Sequence, residues 1–343
     1  MKQVFLVFSL LVLIAAFSSC KKDNKPLNID YPAAFVVNGE SNNLSVINLT
    51  TDKVTETIDL NGATFPHHVY LNPDKTRIAV AITSTDLSGG HGGHGGSSKT
   101  YKVLVIDSKT GDIHHTLELP KLPHNAIFSP DGSELWVGQA DATQSKVLVF
   151  NTSNFSEKAS IPVGKGLSEV TFSVDGKKVF AANTDDNTVS VINPANKSVL
   201  STIPVGNSPV GAWAASNGKM YADNEASQTI SEIDAVTSTI TTTINLGFKP
   251  GYVAYSDHHS ELWVSDATNG KVIYYKLESG AWVKKGEIPT GSDAHAIAFT
   301  SDGKTAYVTN QGANTVSVVE MNSHMKMQDI TAGMKPNGLA IKE

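Results

Sequence analysis

A repeat of about 42 residues runs through most of this chain and restricts its fold more than any other feature. The segments AFVVNGESNNLSVIN (34–48), VFAANTDDNTVSVIN (179–193) and AYVTNQGANTVSVVE (306–320) each read as a strand, an Asn-rich turn and a second strand. A third strand and a fourth strand ending in a turn such as SPDG (129–132) complete the unit. Four short strands at this period are the signature of a propeller blade.

The spacing of the units predicts how many blades there are. Successive fourth-strand turns begin 57, 44, 42, 41 and 44 residues apart, at Asn72, Ser129, Ser173, Ala215, Ser256 and Thr300. The chain starts with three strands of a unit (34–60) and ends with a lone fourth-type strand (337–343). Joining these would close the ring and remove an exposed sheet edge. We therefore predict an all-β, seven-bladed β-propeller over residues 33–343, with four antiparallel strands per blade.

The first residues have the pattern of a bacterial lipoprotein export signal. Lys2 precedes the apolar run VFLVFSLLVLIAAF, and two small serines precede Cys20, the only cysteine. We predict a signal peptide over 1–19, acylation of Cys20, and a polar tether over 20–32. A single cysteine excludes a disulfide framework. The expected location is the cell envelope, anchored to a membrane through lipid on Cys20; periplasm and outer-membrane surface both remain open.

The charge balance argues against nucleic acid as a partner. Removing Lys2 with the signal changes the formal net charge from −6 to −7. Arg77 is the only arginine in the chain. Nucleic-acid-binding domains need a basic face, usually with arginine forks, and this chain has neither.

Several motifs resemble the repeat of the YVTN family of β-propellers over about residues 33–343. They are YVTN (307–310), NTVSV (187–191 and 314–318), TIPVG (202–206) and SPDG (129–132). The resemblance implies the propeller fold. The family and its relatives include binding proteins, lyases, lactonases and haem- or copper-dependent reductases, so the resemblance implies no single activity.

Candidate site residues follow from the start of each innermost strand, which faces one mouth of the central channel. Five residues before each turn, the chain has His67, His124, Ser168, Val210, Gly251, His295 and Asn337. Three histidines and an amide thus fall on one arc of four blades, and Glu169 adds a carboxylate beside Ser168. Imidazoles are frequent zinc or copper ligands. The arc is therefore either a metal site or the polar lining of a wet channel.

We expect the apolar residues that follow these candidates to form the channel wall below them. They are Val69, Ala126, Ile297 and Leu339.

The sequence GGHGGHGG (89–96) is the main insertion in the repeat. It lies between the strands predicted at 78–82 and 101–107, on the same face as the mouth. His91 and His94 are therefore further candidate metal ligands above the His67/His124 arc. The alternative interpretation is a flexible Gly-rich linker, because ordering such a segment on binding costs entropy.

These observations leave three functions open. The first is a cell-envelope lipoprotein whose mouth binds a small molecule, a glycan or a protein without turnover. The second is a metal-dependent enzyme of the lyase or lactonase kind. The third is a metal or redox-cofactor carrier that uses the mouth histidines. No catalytic triad, covalent-haem motif or phosphate loop is recognisable, which favours binding over catalysis.

Overall fold

The computed structural model describes residues 26–87 and 100–343 and contains seven four-stranded antiparallel sheets arranged as blades. This confirms the predicted seven-bladed propeller. Within those residues every regular element is a strand, and no helix is long and apolar enough to cross a membrane. The predicted signal peptide, Cys20, His91 and His94 lie outside the described residues.

Each blade contributes one strand to each of four concentric positions. The innermost strands are β4 (Pro66–Leu71), β8 (Pro123–Phe128), β12 (Leu167–Phe172), β16 (Pro209–Ala214), β20 (Pro250–Ser256), β24 (Ala294–Phe299) and β28 (Pro336–Lys342). The second strands are β1 (Ala33–Asn38), β5 (Arg77–Ile82), β9 (Glu134–Gln139), β13 (Val179–Asn183), β17 (Lys219–Asn224), β21 (Glu261–Asp266) and β25 (Thr305–Asn310). The third strands are β2 (Asn43–Asn48), β6 (Tyr101–Asp107), β10 (Lys146–Asn151), β14 (Thr188–Asn193), β18 (Thr229–Asp234), β22 (Lys271–Glu278) and β26 (Thr315–Glu320). The outermost strands are β3 (Lys53–Asp59), β7 (Ile113–Leu119), β11 (Glu157–Pro162), β15 (Ser198–Pro204), β19 (Thr239–Asn245), β23 (Ala281–Pro289) and β27 (Met325–Thr331).

The two ends of the chain close the ring, as the sequence predicts. Blade 1 consists of β28 followed by β1, β2 and β3, and blades 2 to 7 follow in chain order from β4 to β27. The β28–β1 pair runs antiparallel from Ala33 opposite Lys342 to Asn38 opposite Pro336. The closing pair thereby leaves β1 without an open edge.

The repeated Asn and Ser of the motif form a buried hydrogen-bonded pair within each blade that has them. In blade 7, the side-chain amide of Asn310 donates to Ser317 Oγ at 2.9 Å and to Thr315 Oγ1 at 3.1 Å. Asn38, Asn183 and Asn224 bond their own serines in the same way. A buried amide is costly unless it is bonded, so the pair explains why the blade needs both residues.

The Asn that precedes the third strand in blades 4 and 7 joins neighbouring blades. Asn187 and Asn314 have φ of 55° and 57°, a left-handed conformation that Asn tolerates well. Their side-chain oxygens accept hydrogen bonds from the backbone of the next blade, at Ser208 N (2.8 Å) and Lys335 N (2.9 Å). The NTVSV motif is therefore both a turn and an inter-blade contact.

The apolar residues of the innermost strands pack between blades, which corrects one expectation from the sequence. Val69 belongs to a core cluster with residues of blade 1, and Ala126 to a cluster with residues of blade 2. Ile297 and Leu339 likewise pack against residues of the preceding blade. These four side chains were expected to line the channel. They turn into the inter-blade core because each strand contains a bulge.

That bulge recurs at the mouth end of every innermost strand. In β4 the pairing with β5 shifts between Pro66 and Val69, so that two residues, His67 and His68, oppose the single residue Ala81. The pairing of the other six innermost strands shifts at the corresponding place. A bulge re-aims the side chains beside it. Two consecutive residues of each innermost strand can therefore both approach the channel.

The segment before β1 packs at the end of the ring opposite the mouth. Ile29 is fully buried, and its amide donates to Lys109 O at 2.8 Å. The ammonium of Lys342 donates to Ile29 O at 2.6 Å. The last residues of the predicted tether therefore lie against blades 1 and 2, and the chain enters the propeller on the face away from the mouth.

Candidate functional site

Three histidines from two neighbouring blades lie together at the mouth of the channel. The bulge in β4 brings the adjacent residues His67 and His68 to within 4.3 Å of each other, measured between ring centroids. The ring of His124, from β8, is 4.5 Å from that of His67 and 5.3 Å from that of His68. All three side chains are buried, and one possible ligand atom from each lies within 4.8 Å of the others. The three residues are called the histidine cluster below.

The carboxylate of Glu169, on β12 in blade 4, connects blades 2, 3 and 4. Its Oε1 atom accepts from His124 Nδ1 at 3.0 Å and lies 3.0 Å from His68 Nε2. Its Oε2 atom accepts the hydroxyl of Tyr70 at 2.9 Å. Glu169 is itself fully buried. One carboxylate thus holds two of the three imidazoles in fixed orientations.

The environment of this carboxylate keeps it ionised. Burial alone raises the pKa of Glu169, but the attraction of His68 and the hydrogen bonds from His124 and His68 outweigh burial and lower it. Burial and the nearby negative charge of Glu169 raise the pKa of Tyr70 well above its usual value. Tyr70 therefore remains a neutral hydrogen-bond donor, and Glu169 a negative charge beneath the histidine cluster.

Aromatic side chains form the opposite wall. The ring of Trp213 lies 6.4 Å from that of His68 and 4.1 Å from that of Tyr252. The ring of His295 lies 6.1 Å from that of His68 and 6.3 Å from that of Tyr252. His295 is therefore close to the histidine cluster, but it is not one of the three residues whose ligand atoms come together.

Behind this wall is a second buried carboxyl group, that of Asp223. Its Oδ1 atom accepts from Gly211 N at 2.9 Å and from the indole nitrogen of Trp213 at 3.0 Å. Burial raises the pKa of Asp223 well above its usual value, more than these hydrogen bonds lower it. The pKa values of Asp223 and Glu169 are thus shifted in opposite directions, because only Glu169 has imidazole partners.

The segment before the Gly-rich insertion covers the mouth. The amide of Thr83 donates to Phe65 O at 3.1 Å, and Asp86 forms an ion pair with Lys335 from blade 1. Leu87 is buried and lines two cavities of about 10 Å³ and 30 Å³. His67 lines both cavities as well, so they lie directly over the histidine cluster. Each is of the size that holds a water molecule or an ion.

Two buried amides face the same cavities. Gln311 and Asn337 line both of them. Among the described residues, Gln311 Oε1 and Asn337 Oδ1 have no hydrogen-bond partner. Buried polar atoms are nearly always bonded, so these two oxygens point to a polar occupant of the cavities.

The structure places the residues singled out from the sequence as follows. His67 and His124 lie in the histidine cluster, and Glu169 bonds to it. Asn337 lines the cavities above it. The hydroxyl of Ser168 bonds to Thr184 Oγ1 at 2.7 Å, within its own blade.

The sequence patterns did not identify His68 as a site residue. Strand alternation assigns neighbouring residues to opposite sides, and only a bulge allows His67 and His68 to share one. The one sequence signal for the bulge was Glu169. It was a candidate for the mouth although it lies one residue after Ser168, the position used to align the blades.

Two lysines at the mouth are paired with acids. Lys249 lies 3.0 Å from Glu225, and Lys335 pairs with Asp86. Arg77 pairs with Asp107 on the opposite face. The mouth therefore has no arginine fork of the kind that binds phosphate groups.

Comparison with known proteins identifies one family by sequence. The profile described as "Lactonase, 7-bladed beta-propeller" matches residues 78–336. No curated protein sequence matches the chain.

Solved structures with the same fold have diverse functions. A periplasmic gluconolactonase from Pseudomonas aeruginosa is 16% identical, with 91% of this chain and 99% of that one covered, at a TM-score of 0.70. A candidate 6-phosphogluconolactonase from Bacteroides uniformis is 15% identical, with 91% and 99% covered, at 0.73. Hydrazine synthase from Kuenenia stuttgartiensis is 17% identical, with 80% and 88% covered, at 0.66. At such identities the likeness shows the fold alone, and function has to be argued from the site.

Proposed function

This chain belongs to the seven-bladed β-propeller lactonase family, and on that premise we propose that it binds a small polar ligand at the mouth of its channel. The observation that carries the proposal is the buried carboxylate of Glu169, held by side chains from two other blades. Burying a charge is costly, and blade 5 has Val210 and Gly211 at the positions that correspond to Ser168 and Glu169. The fold alone therefore does not require polar groups there.

The cavities limit the size of this ligand. With Leu87 in place, spaces of about 10 Å³ and 30 Å³ admit only a species the size of water or an ion. A larger ligand would have to displace the segment from Thr83 to Leu87. The partnerless oxygens of Gln311 and Asn337 would bond to a ligand of either kind.

The proposed location is the cell envelope, with an anchor at Cys20. The support is the pattern of residues 1–20. Because residues 26–32 join the propeller on the face away from the mouth, an anchor at Cys20 would turn the mouth away from the membrane. A ligand would then approach from the aqueous side.

A thermal-unfolding panel tests ligand binding. The purified protein is heated with zinc, copper(II), phosphate, acetate or D-gluconate, beside the Glu169→Gln variant. A ligand that binds the folded state raises the melting temperature. We expect at least one member of the panel to raise Tm in the native protein and to do so less in the variant. No shift with any of them would overturn the proposal.

Hydrolysis of an uncharged lactone is a second candidate, favoured by the pairing of His124 with Glu169 and by the family. A carboxylate on Nδ1 fixes the tautomer and supports Nε2 as a general base. Nε2 would take a proton from water as the water oxygen bonds to the lactone carbonyl carbon. It would return that proton to the ring oxygen as the ester C–O bond breaks, which yields the hydroxy acid. The absence of an arginine fork at the mouth favours an uncharged substrate over a phosphorylated one.

The lactonase candidate is tested with D-glucono-1,5-lactone. Loss of a general base typically costs about 10²–10⁴-fold in rate, so we expect that loss in His124→Gln. The matched control is His115→Gln. His115 lies in the outermost strand β7, where its ring stacks on that of Phe155. A native rate equal to that of buffer, or an unchanged rate in His124→Gln, would exclude this candidate.

A further inference from the structure

We propose that His67, His68 and His124 bind one divalent transition-metal ion, zinc or copper, at the mouth of the channel. This inference rests on the ligand site proposed above and names the chemistry of its ligand. The ligand atoms already lie within 4.8 Å of one another on buried, strand-held side chains. The protein would therefore lose little side-chain entropy on binding the metal.

The distances between these atoms are close to those between the ligand atoms of a bound metal ion. Zinc–nitrogen bonds of about 2.0–2.1 Å place tetrahedral ligands about 3.4 Å apart. Nitrogens that lie as much as 4.8 Å apart would thus be drawn together by up to about 1.4 Å on binding an ion, which rotation of the imidazoles can supply. Three imidazoles leave one position open, the arrangement of a zinc site that also binds water or substrate.

Glu169 contacts the histidine rings in the way that a carboxylate commonly orients metal-binding histidines. Such histidines commonly bind the metal through one ring nitrogen and a carboxylate through the other. With Nδ1 of His124 and Nε2 of His68 at Glu169, the ring nitrogens that can bind a metal are Nε2 of His124 and Nδ1 of His68. The negative charge of Glu169 also lowers the cost of burying a dication.

The cavities provide space for the fourth ligand. His67 lines both of them, together with Asn337 and Gln311. A water molecule on the metal would lie in this space, where the two amide oxygens could accept its protons. The same geometry explains why the buried amide oxygens of Asn337 and Gln311 face a cavity rather than a protein donor.

Apart from His91 and His94, which lie outside the described residues, the ligand set inferred from the structure differs from the one predicted from the sequence in one residue. The sequence pointed to His295 as the third ligand, whereas the structure brings His68 to the cluster. This difference supplies a matched control, since both are buried histidines at the mouth. Their substitution changes the same chemistry at nearly the same depth.

The test is zinc binding by the EDTA-treated protein, followed by equilibrium dialysis and metal analysis. We expect one zinc per chain, lost in His68→Ala and retained within about threefold in His295→Ala. Loss of an outer carboxylate typically costs about 10–100-fold in metal affinity, so Glu169→Gln should weaken binding by that factor. Circular dichroism in EDTA checks that each variant folds, and the isosteric Glu169→Gln keeps the test valid if an alanine variant does not.

Three outcomes would overturn the metal site. They are zinc retention no greater than that of a protein without a metal site, binding unchanged by His68→Ala and Glu169→Gln, and loss in His295→Ala equal to that in His68→Ala. If zinc and copper fail while acetate or D-gluconate still raises Tm in the panel above, the metal inference is wrong and the ligand-binding proposal stands.

Discussion

The Nδ1 atom of His124 in blade 3 lies 3.0 Å from Oε1 of Glu169 in blade 4. This contact joins two innermost strands at the places where both are bulged. A buried carboxylate without such a partner would raise its pKa and become neutral. The contact therefore keeps Glu169 ionised, and the ionised Glu169 fixes the orientation of the histidines above it.

Removing this carboxylate should destabilise the whole propeller. In Glu169→Ala, the imidazoles of His68 and His124 and the hydroxyl of Tyr70 lose a shared acceptor. Removing one partner of a buried ion pair typically costs about 3–5 kcal/mol, so we expect the free energy of unfolding in urea to fall by that amount. Glu157→Ala, on an exposed face of β11, serves as the control. Equal stability of the two variants would show that Glu169 holds nothing in place.

Replacing the second buried carboxyl should make stability less dependent on pH. Because the pKa of Asp223 is raised on folding, the folded chain keeps this proton over a range in which the unfolded chain has lost it. The stability that Asp223 contributes is fully present below its ordinary pKa of 3.8 and is lost as pH rises through the raised value.

Asp223→Asn is neutral throughout and keeps an oxygen for Gly211 N and the indole of Trp213. Its free energy of unfolding should therefore rise relative to the native protein between about pH 4 and about pH 8. Urea unfolding at both pH values measures this, with the exposed Asp112→Asn as the control. A difference that does not change with pH would mean that Asp223 is ionised in the folded protein.

Closure of the ring should depend on the last strand. Deleting residues 336–343 removes β28, exposes the edge of β1 and opens blade 1. We expect the truncated protein to aggregate or to lose cooperative unfolding. The deletion leaves the edge of β1 unpaired, and it also removes the contacts that β28 makes with blades 2 and 7. Deletion of Glu343 alone is the control. If the protein with the longer deletion unfolded cooperatively and at the same temperature as the native protein, the closure mechanism would be contradicted.

The cover over the mouth should control how fast a bound ion leaves. Lys335→Ala removes the ion pair that ties Asp86 to blade 1. We expect zinc to transfer faster to a chelator such as EDTA, with little change in equilibrium affinity, because Lys335 is not a metal ligand. Lys121→Ala, which breaks a surface pair with Asp141, is the control. An exchange rate equal to the native rate would mean that the segment ending at Leu87 does not limit access.

The sequence predicts the fold well because the repeat encodes it many times over. Each blade restates the strand pattern, so drift in a single unit, such as WVGQ at 136–139, does not hide the period. The closure by β28 followed from counting strands at the two ends.

The site was predictable only in part. His67, His124 and Glu169 could be singled out by aligning blades, but His68 could not, because strand alternation fails at a bulge. The bulge also turned Val69 away from the channel and into the inter-blade core. Register shifts of this kind depend on pairing between strands, which a single strand's sequence does not reveal.

The most direct test of the histidine cluster is an anomalous difference map from crystals of the protein grown with zinc, measured at the zinc absorption edge. We expect one strong peak about 2.1 Å from a ring nitrogen of each of His67, His68 and His124, with Glu169 on the far side of two of those rings. A map with no peak there, or with zinc bound by His295 instead of His68, would contradict this expectation.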